Sequence, residues 1–368
     1  MKNVKNQYIE RNIKADVIRG FAIILVIFGH CIQNGNGWDY FINSRYWSNK
    51  VYQFIYSFHM PLFMILAGWF AYFSLKKLEG DRKKQLRFLA KRYFTYIMPI
   101  FLWTLFEFVR GFWLNGLSSV ADTVWKDFFI SFFSYFLTNL WFLWAVLICL
   151  TIVFVMHFYL ADNIPLYVLG FLVMFFLPDA ANLGVYKYLM PYYIGAFYIN
   201  KCLDSESRGK VIDLFKASYE KKPVMWLVIT GIIFACLFMF YDERAFIYLT
   251  GYRLSRANWY KQLVIDVYRF VIGLFGSMFF MMLFDRLSIA FKSYKWPVLT
   301  AFGKNSLGVY ILQGYYILIV MASFTNNMTG IRWYHIPIEA MIISIVSLVS
   351  AVIIAKIPVL RILVGKSR

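Results

Sequence analysis

Long apolar runs recur along this chain, and they restrict its possible folds more than any other feature. The hydrocarbon core of a bilayer requires about 20 mainly apolar residues in each crossing helix. By that measure the sequence predicts an all-α, polytopic membrane bundle of about ten helices, of which the fifth and sixth are short enough to be tilted or partly re-entrant. The predicted spans lie near residues 16–34, 53–75, 93–113, 139–158, 164–178, 185–200, 223–241, 263–284, 304–325 and 337–356.

The composition also indicates contact with lipid. Hydrophobic residues make up 61% of the chain and charged residues 15%, against roughly 25% charged residues in an average soluble domain. These values exclude a soluble enzyme, a disordered chain and a coiled coil. The four cysteines are scattered and form no C-x-x-C pair, so neither a disulfide framework nor a bound metal is expected.

The distribution of basic residues predicts how the bundle is oriented. The formal net charge is +19, from 38 Lys and Arg against 19 Asp and Glu. If the N-terminus is inside, 26 of the 38 basic residues fall on inner segments. This bias is typical of cytoplasmic loops and predicts that both termini are cytoplasmic. Contact with anionic lipid headgroups accounts for the charge, so nucleic acid is not an expected partner.

The chain is expected to form a single membrane domain over residues 1–368. The sequence contains no internal repeat, low-complexity tract or glycine-rich phosphate loop. A basic stretch precedes the first apolar run, as in a signal peptide, but no small-residue cleavage site follows it and further spans do. No appended extracytoplasmic domain is expected, because few residues follow residue 356.

Two ionisable side chains share one face of the first predicted span. Charged residues within a span cost several kcal/mol and normally face a cavity or a partner. Arg19 and His30 are eleven residues apart, which places them on the same side of a helix and ~16 Å apart along its axis. Asp16 lies one turn before Arg19 and is spaced to pair with it. Taken singly, each residue has a simpler explanation. Arg19 could reach lipid phosphate, and His30 could pack between helices.

A second histidine enters the membrane from the predicted outer side. His59 lies at a depth close to that of His30, and Pro61 removes a backbone donor, which bends a helix. Two histidines and a bend at one level predict a polar pocket that opens outward. A bent packing helix explains the same residues almost as well.

Two further pairs of opposite charge lie within predicted spans. Glu107 with Arg110, and Asp266 with Arg269, are each three residues apart and are predicted to form internal pairs. Structural ties are the simpler explanation for both. Glu107 lies toward the outer half, so binding of a polar acceptor is an alternative for this residue.

Five sequence blocks share a pattern with a known family. They cover residues 16–30, which hold Arg19-x10-His30, then 58–68, 91–99, 140–144 and 302–310. In this order, from about residue 11 to 320, the chain resembles acyltransferase family 3, whose members are multi-pass bacterial membrane enzymes. The Phe-His-Met-Pro form of the second block is most similar to the fucose 4-O-acetylase branch, whose members acetylate sugars.

The chain departs from the family pattern at two positions. The family often has a second arginine three residues after the position of Arg92, where this chain has Thr95. A histidine commonly follows the last block, where this chain has Gln313. Neither a full Arg-x-x-Arg donor clamp nor a third catalytic histidine is therefore predicted.

The resemblance implies transfer of an acyl group from cytoplasmic acyl-CoA to a hydroxyl of a cell-surface or lipid-linked glycan in the bacterial cell membrane. In the branch that the chain resembles most, the acyl group is acetyl. His30 is expected to act as the general base, with a role as a transient acyl carrier as the alternative. His59 is expected to orient the acceptor or to stabilise charge on the thioester oxygen. Asp16 is expected to hold Arg19.

The expected binding residues form two groups. Six residues are expected to bind the phosphates of CoA at a basic inner mouth or to line the donor path beside it: Arg19, Lys91, Arg92, Lys304, Asn305 and Ser306. The residues expected to contact the acceptor are Glu107, Trp141 and Trp144. A transporter or flippase of glycans is the competing class, although paired halves are not visible in the sequence. A membrane sensor or scaffold is a third possibility.

Overall fold

The computed structural model describes residues 2–35, 45–115, 125–179, 182–204, 210–254, 257–291, 296–317 and 335–366. Within these residues all regular secondary structure is helical, which confirms the all-α prediction. The longer helices are α1 (Lys2–Gly35), α2 (Lys50–Lys76), α3 (Arg82–Asn115), α4 (Trp125–Thr138), α5 (Trp141–Tyr159), α6 (Ile164–Met174), α7 (Leu183–Asp204), α8 (Lys210–Lys221), α9 (Pro223–Met239), α10 (Trp259–Ala290), α11 (Pro297–Lys304), α12 (Ser306–Tyr315) and α13 (His335–Lys356). Short helical turns cover Arg45–Ser48, Glu243–Ala245, Ile247–Thr250 and Leu360–Val364.

Several of these helices are long and apolar enough to cross a bilayer. Five meet this criterion in the described part of the chain, and they overlap predicted spans one, two, four, eight and ten. A sixth span results if α8 and α9, which meet at an angle of 102°, are counted together. The chain is therefore a helical membrane protein. The five segments are Ile13–Gln33, Lys50–Lys76, Trp141–Tyr159, Trp259–Ala290 and Ile336–Lys356.

Predicted spans three, five, six and nine overlap described helices that do not meet this criterion on their own. The third lies within the 34-residue α3, and the sixth lies within the 22-residue α7. The fifth corresponds to α6, whose 11 residues extend about 16 Å, roughly half of the hydrocarbon core. The ninth, 304–325, begins at a helix break, and its part beyond residue 317 lies outside the described residues. The total of about ten spans and the cytoplasmic termini stay predictions.

The break in the ninth predicted span has a local cause. Asn305 separates α11 from α12, and its side-chain amide donates to the carbonyl oxygen of Ala301 at 2.9 Å. The backbone N–H of Asn305 donates to the same oxygen at 3.3 Å. Asparagine side chains compete in this way with the regular helical pattern, so a new helix begins at Ser306.

Glycines allow the helices around the site to pack closely. A Cβ atom at Gly20 would lie 1.9 Å from the carbonyl oxygen of Leu299, and one at Gly303 would lie 1.8 Å from that of Asp16. Neither position tolerates a side chain, and small residues at helix contacts are typical of membrane proteins. The contact brings the α11–α12 junction next to the turn of α1 that carries Arg19.

The two largest clusters of buried apolar residues in the described part of the chain share one helix. One lies between α2, α5 and α7, and the other between α1, α2, α9 and α10. Since α2 belongs to both clusters, it is the central helix of the bundle. Gly68 of α2 approaches α7 so closely that a Cβ there would lie 2.0 Å from the carbonyl oxygen of Tyr193.

A polar network fastens α5 to α7 at one end. Asp162, in the loop after α5, accepts hydrogen bonds from His157 Nδ1 at 2.8 Å and from the Tyr198 hydroxyl at 2.9 Å, and it pairs with Lys201. Burial alone would raise the pKa of Asp162, but these bonds outweigh it and lower that pKa to about 2. The carboxylate therefore stays ionised near neutral pH. The network holds two helices that form part of the cavity walls described next.

Candidate functional site

The central feature of the bundle is a cavity of about 250 Å³ between α1, α2, α3, α5 and α12. A second cavity of about 120 Å³ shares five of its residues, Arg92 among them, so the two adjoin. The larger cavity is lined by Arg19, Ile23, Val26, Met60, Phe63, Ala67, Arg92, Tyr96, Phe142, Leu143, Val146, Ser306, Leu307 and Tyr310. The smaller one adds Phe70, Ala71, Ser74, Phe88, Leu150 and Tyr193.

One face of α1 forms a wall of the cavity. Arg19, Ile23 and Val26 line it at helical spacings of four and three residues, and His30 is the next position on this face. Because α1 is unbroken from Lys2 to Gly35, Arg19 and His30 share a face as predicted. The lining of the cavity ends at Val26, one helical turn or ~6 Å before His30 along the axis.

Arg19 lies where the two cavities meet. Its guanidinium carbon is 4.5 Å from the centre of the Phe70 ring, and its Nη1 is 3.6 Å from Oδ1 of Asp16. The predicted pair with Asp16 is therefore present, at a distance longer than a normal hydrogen bond. The side chain is 30% exposed, so the guanidinium is accessible to an anion in the cavity.

Two other predicted donor-site residues also line the cavity. Arg92 borders both cavities, and its guanidinium carbon lies 5.1 Å from the centre of the Phe88 ring. Ser306 is the first residue of α12 and lines the larger cavity. Together with Arg19, these groups give one part of the cavity two guanidinium groups and the positive end of a helix.

Three predicted donor-site residues lie outside the cavity lining. Lys91 and Lys304 are exposed. Asn305 accepts a hydrogen bond from the Lys366 ammonium at 2.9 Å. Thr95, at the position where the family often has arginine, donates to the carbonyl oxygen of Lys91 at 2.8 Å.

The two intramembrane histidines have different partners. His30 Nδ1 lies 3.0 Å from Oε1 of Gln313, a buried residue of α12. His59 is 2% exposed, and its Nδ1 donates to the carbonyl oxygen of Ile55 at 2.7 Å. The two imidazoles are close enough to interact electrostatically. The α2 helix continues through Pro61 from Lys50 to Lys76.

A third cavity, of about 30 Å³, lies on the other side of Met60. Met60 lines both this cavity and the larger one, so its side chain is part of their common wall. Trp141, a predicted acceptor residue, lines the third cavity, whereas the indole N–H of Trp144 donates to the carbonyl oxygen of Phe136 at 3.1 Å. The lining also includes Tyr56, Ser57, Tyr188, Tyr241, Phe246, Tyr248 and Arg269.

Arg269 holds one wall of this third cavity in place. It pairs with Asp266 at 2.7 Å, and both side chains are 2% exposed. Its Nε donates to the carbonyl oxygen of Ala245 at 2.8 Å, and its Nη1 donates to that of Gly251 at 2.7 Å. The segment between them includes Tyr248 of the cavity lining. The predicted internal pair is thus confirmed, and it also clamps a loop.

The second predicted charged pair lies apart from the cavities. Glu107 and Arg110 form an ion pair at 2.8 Å on α3. Glu107 lines none of the three cavities described above. Among the described residues, no group of three or more His, Cys, Asp or Glu side chains is arranged to hold a metal ion.

Comparison with known proteins identifies the family. A family model described as an acyltransferase domain matches residues 12–356. The chain belongs to acyltransferase family 3. Its apolar helices make it a membrane member of this family.

Two curated proteins, both named Nodulation protein NolL, are similar to this acyltransferase family 3 chain. The protein from Sinorhizobium fredii (strain NBRC 101917 / NGR234) is 30% identical over 143 residues, which cover 37% of this chain and 34% of that protein. The protein from Mesorhizobium japonicum (strain LMG 29417 / CECT 9101 / MAFF 303099) is 24% identical over 192 residues, 51% and 47% of the two chains. The chain thus spans between about a third and about a half of these relatives' length. No solved structure matches it.

The five acyltransferase family 3 blocks converge on the central cavity. All residues that line it except Val146 come from these blocks. Sequence analysis did not single out Met60, Tyr96, Phe142 or Tyr310, although each lies within a block. A position within one of the five blocks therefore indicates that a residue can line the cavity.

Proposed function

We propose that the protein transfers an acetyl group from acyl-CoA on the cytoplasmic side to a hydroxyl of a glycan or glycolipid on the outer side of a bacterial cell membrane. One observation carries this proposal: sequence blocks spread over most of the chain line one cavity. Arg19 and Arg92 lie at one end of this cavity, and His30 lies one helical turn beyond its other end. A donor with anionic phosphates and a reactive thioester fits this polarity.

The arginine end of the cavity suits the phosphates of CoA. Arginine binds phosphate through charge-assisted, often paired hydrogen bonds. Arg19 and Arg92 face the same space, and the N-terminus of α12 at Ser306 adds positive potential there. Phe70 and Phe88 pack against the two guanidinium groups and limit their motion.

The other end of the cavity suits a short, uncharged acyl group. The apolar side chains of Ile23, Val26 and Met60 line it, together with the rings of Phe63 and Tyr310. A buried carboxylate without a partner is costly, so this lining disfavours succinyl and favours acetyl. Acetyl-CoA is therefore the donor that we propose.

Removal of the Met60 side chain should relax selectivity for the acyl chain. In Met60→Ala, we expect kcat/KM for butyryl-CoA relative to acetyl-CoA to rise about tenfold, because one methylene in an apolar pocket changes kcat/KM by about that factor or more. Steady-state rates with a series of acyl-CoA donors measure the ratio. Met64→Ala is the matched control, since Met64 is buried on the same helix outside the cavity. An unchanged ratio in Met60→Ala would place the acyl group elsewhere.

The chemistry requires one proton acceptor at the acyl end. The acceptor oxygen bonds to the thioester carbonyl carbon while its proton passes to a ring nitrogen of His30. The carbon–sulfur bond then breaks, and the imidazolium returns the proton to the CoA thiolate. His59 Nδ1 donates to the carbonyl oxygen of Ile55, so Nε2 of the neutral ring only accepts hydrogen bonds. It cannot stabilise the thioester oxygen, and in this scheme it orients the acceptor by accepting from one of its hydroxyl groups.

The third cavity is the proposed approach of the acceptor. Its rings, among them Tyr56, Trp141 and Tyr248, offer the flat apolar surfaces that pack against sugar rings. Its volume of about 30 Å³ is too small for a sugar, so the loop that Arg269 clamps has to move when the acceptor enters. Met60 then separates donor from acceptor until both are bound.

Loss of the Trp141 ring should weaken acceptor binding selectively. In Trp141→Phe, we expect KM for the acceptor to rise about two- to tenfold, the range for one lost aromatic contact, with KM for acetyl-CoA unchanged. Trp144→Phe removes an indole N–H that bonds to Phe136, and it should alter thermal stability instead. A higher KM for acetyl-CoA alone in Trp141→Phe would contradict this assignment.

A transfer assay tests the proposed function. Purified protein in lipid nanodiscs receives radiolabelled acetyl-CoA and a panel of saccharides that includes a fucosylated one. Label in an alkali-labile ester on a saccharide supports the proposal. Stoichiometric release of CoA with no labelled saccharide from any acceptor class would contradict it.

A further inference from the structure

We propose that Gln313 is a positioning residue that keeps the proton of His30 on Nδ1 and so presents Nε2 as the base. The inference rests on the proposed function, because it assumes that His30 deprotonates the acceptor. It also gives a role to a position where the chain departs from its family, which commonly has histidine there.

The hydrogen bond between the two side chains determines the tautomer. Oε1 of Gln313 lies 3.0 Å from Nδ1 of His30. An amide oxygen only accepts hydrogen bonds, so Nδ1 must donate and Nε2 keeps its lone pair. A neutral imidazole in this tautomer is ready to accept a proton at Nε2.

A second bond fixes the orientation of the amide. The Nε2 amide nitrogen of Gln313 donates to the carbonyl oxygen of Tyr310 at 3.3 Å. A half-turn of the amide would place its oxygen against that carbonyl oxygen and lose the bond. Gln313 is also 2% exposed, so water does not compete for the oxygen that faces His30.

The two helices bring these side chains to the same end of the cavity. On α12, Ser306 and Tyr310 line the cavity, and Gln313 is the next position on that face. On α1 the same spacing leads from Arg19 to His30. Gln313 therefore meets the imidazole at the acyl end and acts through His30 rather than on the substrate.

Loss of the amide should lower turnover without weakening donor binding. In Gln313→Met, which keeps the length of the side chain, we expect kcat to fall about 100-fold, the lower range for a disabled general base. The dissociation constant for acetyl-CoA, measured by calorimetry on the same nanodisc preparation, should stay unchanged. That measurement also reports that the variant is folded. Gln313→Asn, which is too short to reach His30, should give the same loss.

Rescue and control variants separate positioning from packing. Gln313→His retains a hydrogen-bond acceptor and should recover kcat to within about tenfold of the wild type. Gln85→Met is the matched control, because Gln85 is a buried glutamine that donates to the carbonyl oxygen of Leu78, away from the cavity. It should leave kcat unchanged.

The outcomes distinguish this inference from the proposed function. An inactive His30→Ala together with wild-type kcat in both Gln313→Met and Gln313→Asn would overturn the role of Gln313 only. A fully active His30→Ala would overturn the proposed base, and the inference with it. A loss of kcat in Gln313→Met that Gln313→His does not restore, with a proportional loss of acetyl-CoA binding, would show a packing role and overturn the inference.

Discussion

Replacement of His30 by alanine is expected to lower kcat for acyl transfer by about 10³-fold, within the range for loss of a general base. The acceptor hydroxyl then loses the ring nitrogen that takes its proton in the proposed scheme. Arg19 and Arg92 are untouched, so the affinity for acetyl-CoA should remain that of the wild type. Rapid-quench measurement of the acetylated saccharide, combined with calorimetric titration of acetyl-CoA, separates the two quantities.

His157, which lies outside the cavity lining, provides the control for this experiment. His157 donates from Nδ1 to Asp162 in the network between α5 and α7, outside the cavity lining. His157→Gln should retain the wild-type kcat, although the protein loses stability. An equal loss of kcat in His30→Ala and His157→Gln would indicate a general effect of removing a histidine. That result would contradict the role of His30 as the general base.

Replacement of Arg19 by alanine is expected to weaken acetyl-CoA binding about 10- to 100-fold, the equivalent of one or two hydrogen bonds to a charged group. Arg92→Ala should have a similar effect, since Arg92 borders the same two cavities. Arg19→Lys keeps the charge but not the paired donors, so it should recover only part of the affinity. Calorimetric titration of each variant in nanodiscs measures these changes.

Another intramembrane arginine serves as the control for donor binding. Arg110 lies on α3, as Arg92 does, but it pairs with Glu107 and lines none of the cavities described above. Arg110→Ala should leave the affinity for acetyl-CoA unchanged. Unchanged affinity in Arg19→Ala and Arg92→Ala would move the phosphate site away from this cavity.

Features that depend on a single helix were predictable from the sequence. The shared face of Arg19 and His30 follows from their spacing, because α1 is continuous and helical periodicity then fixes their relation. The pairs Glu107–Arg110 and Asp266–Arg269 are local for the same reason. Hydropathy located the long apolar helices, since burial in lipid imposes one composition along the whole span.

Features that depend on contacts between distant segments were not predictable. Gln313 is 283 positions from His30, and no periodic pattern links them. Charge alone indicated Lys91, Arg92 and Lys304 equally as residues of the donor site. The rotation of each helix about its axis decides which side chain lines the cavity, and of these three only Arg92 does. The break at Asn305 depends on a side-chain bond to Ala301 that hydropathy does not register.

The most direct test of transfer through the cavity uses sealed proteoliposomes. Radiolabelled acetyl-CoA is trapped inside, a saccharide acceptor is supplied outside, and protein molecules whose predicted cytoplasmic side faces inward are scored. We predict labelled, esterified saccharide in the outer medium, loss of trapped acetyl-CoA, and no product with His30→Ala. Uptake of unmodified saccharide without any labelled ester would instead indicate a transporter, and it would contradict acyl transfer from the arginine end of this cavity to the outer side.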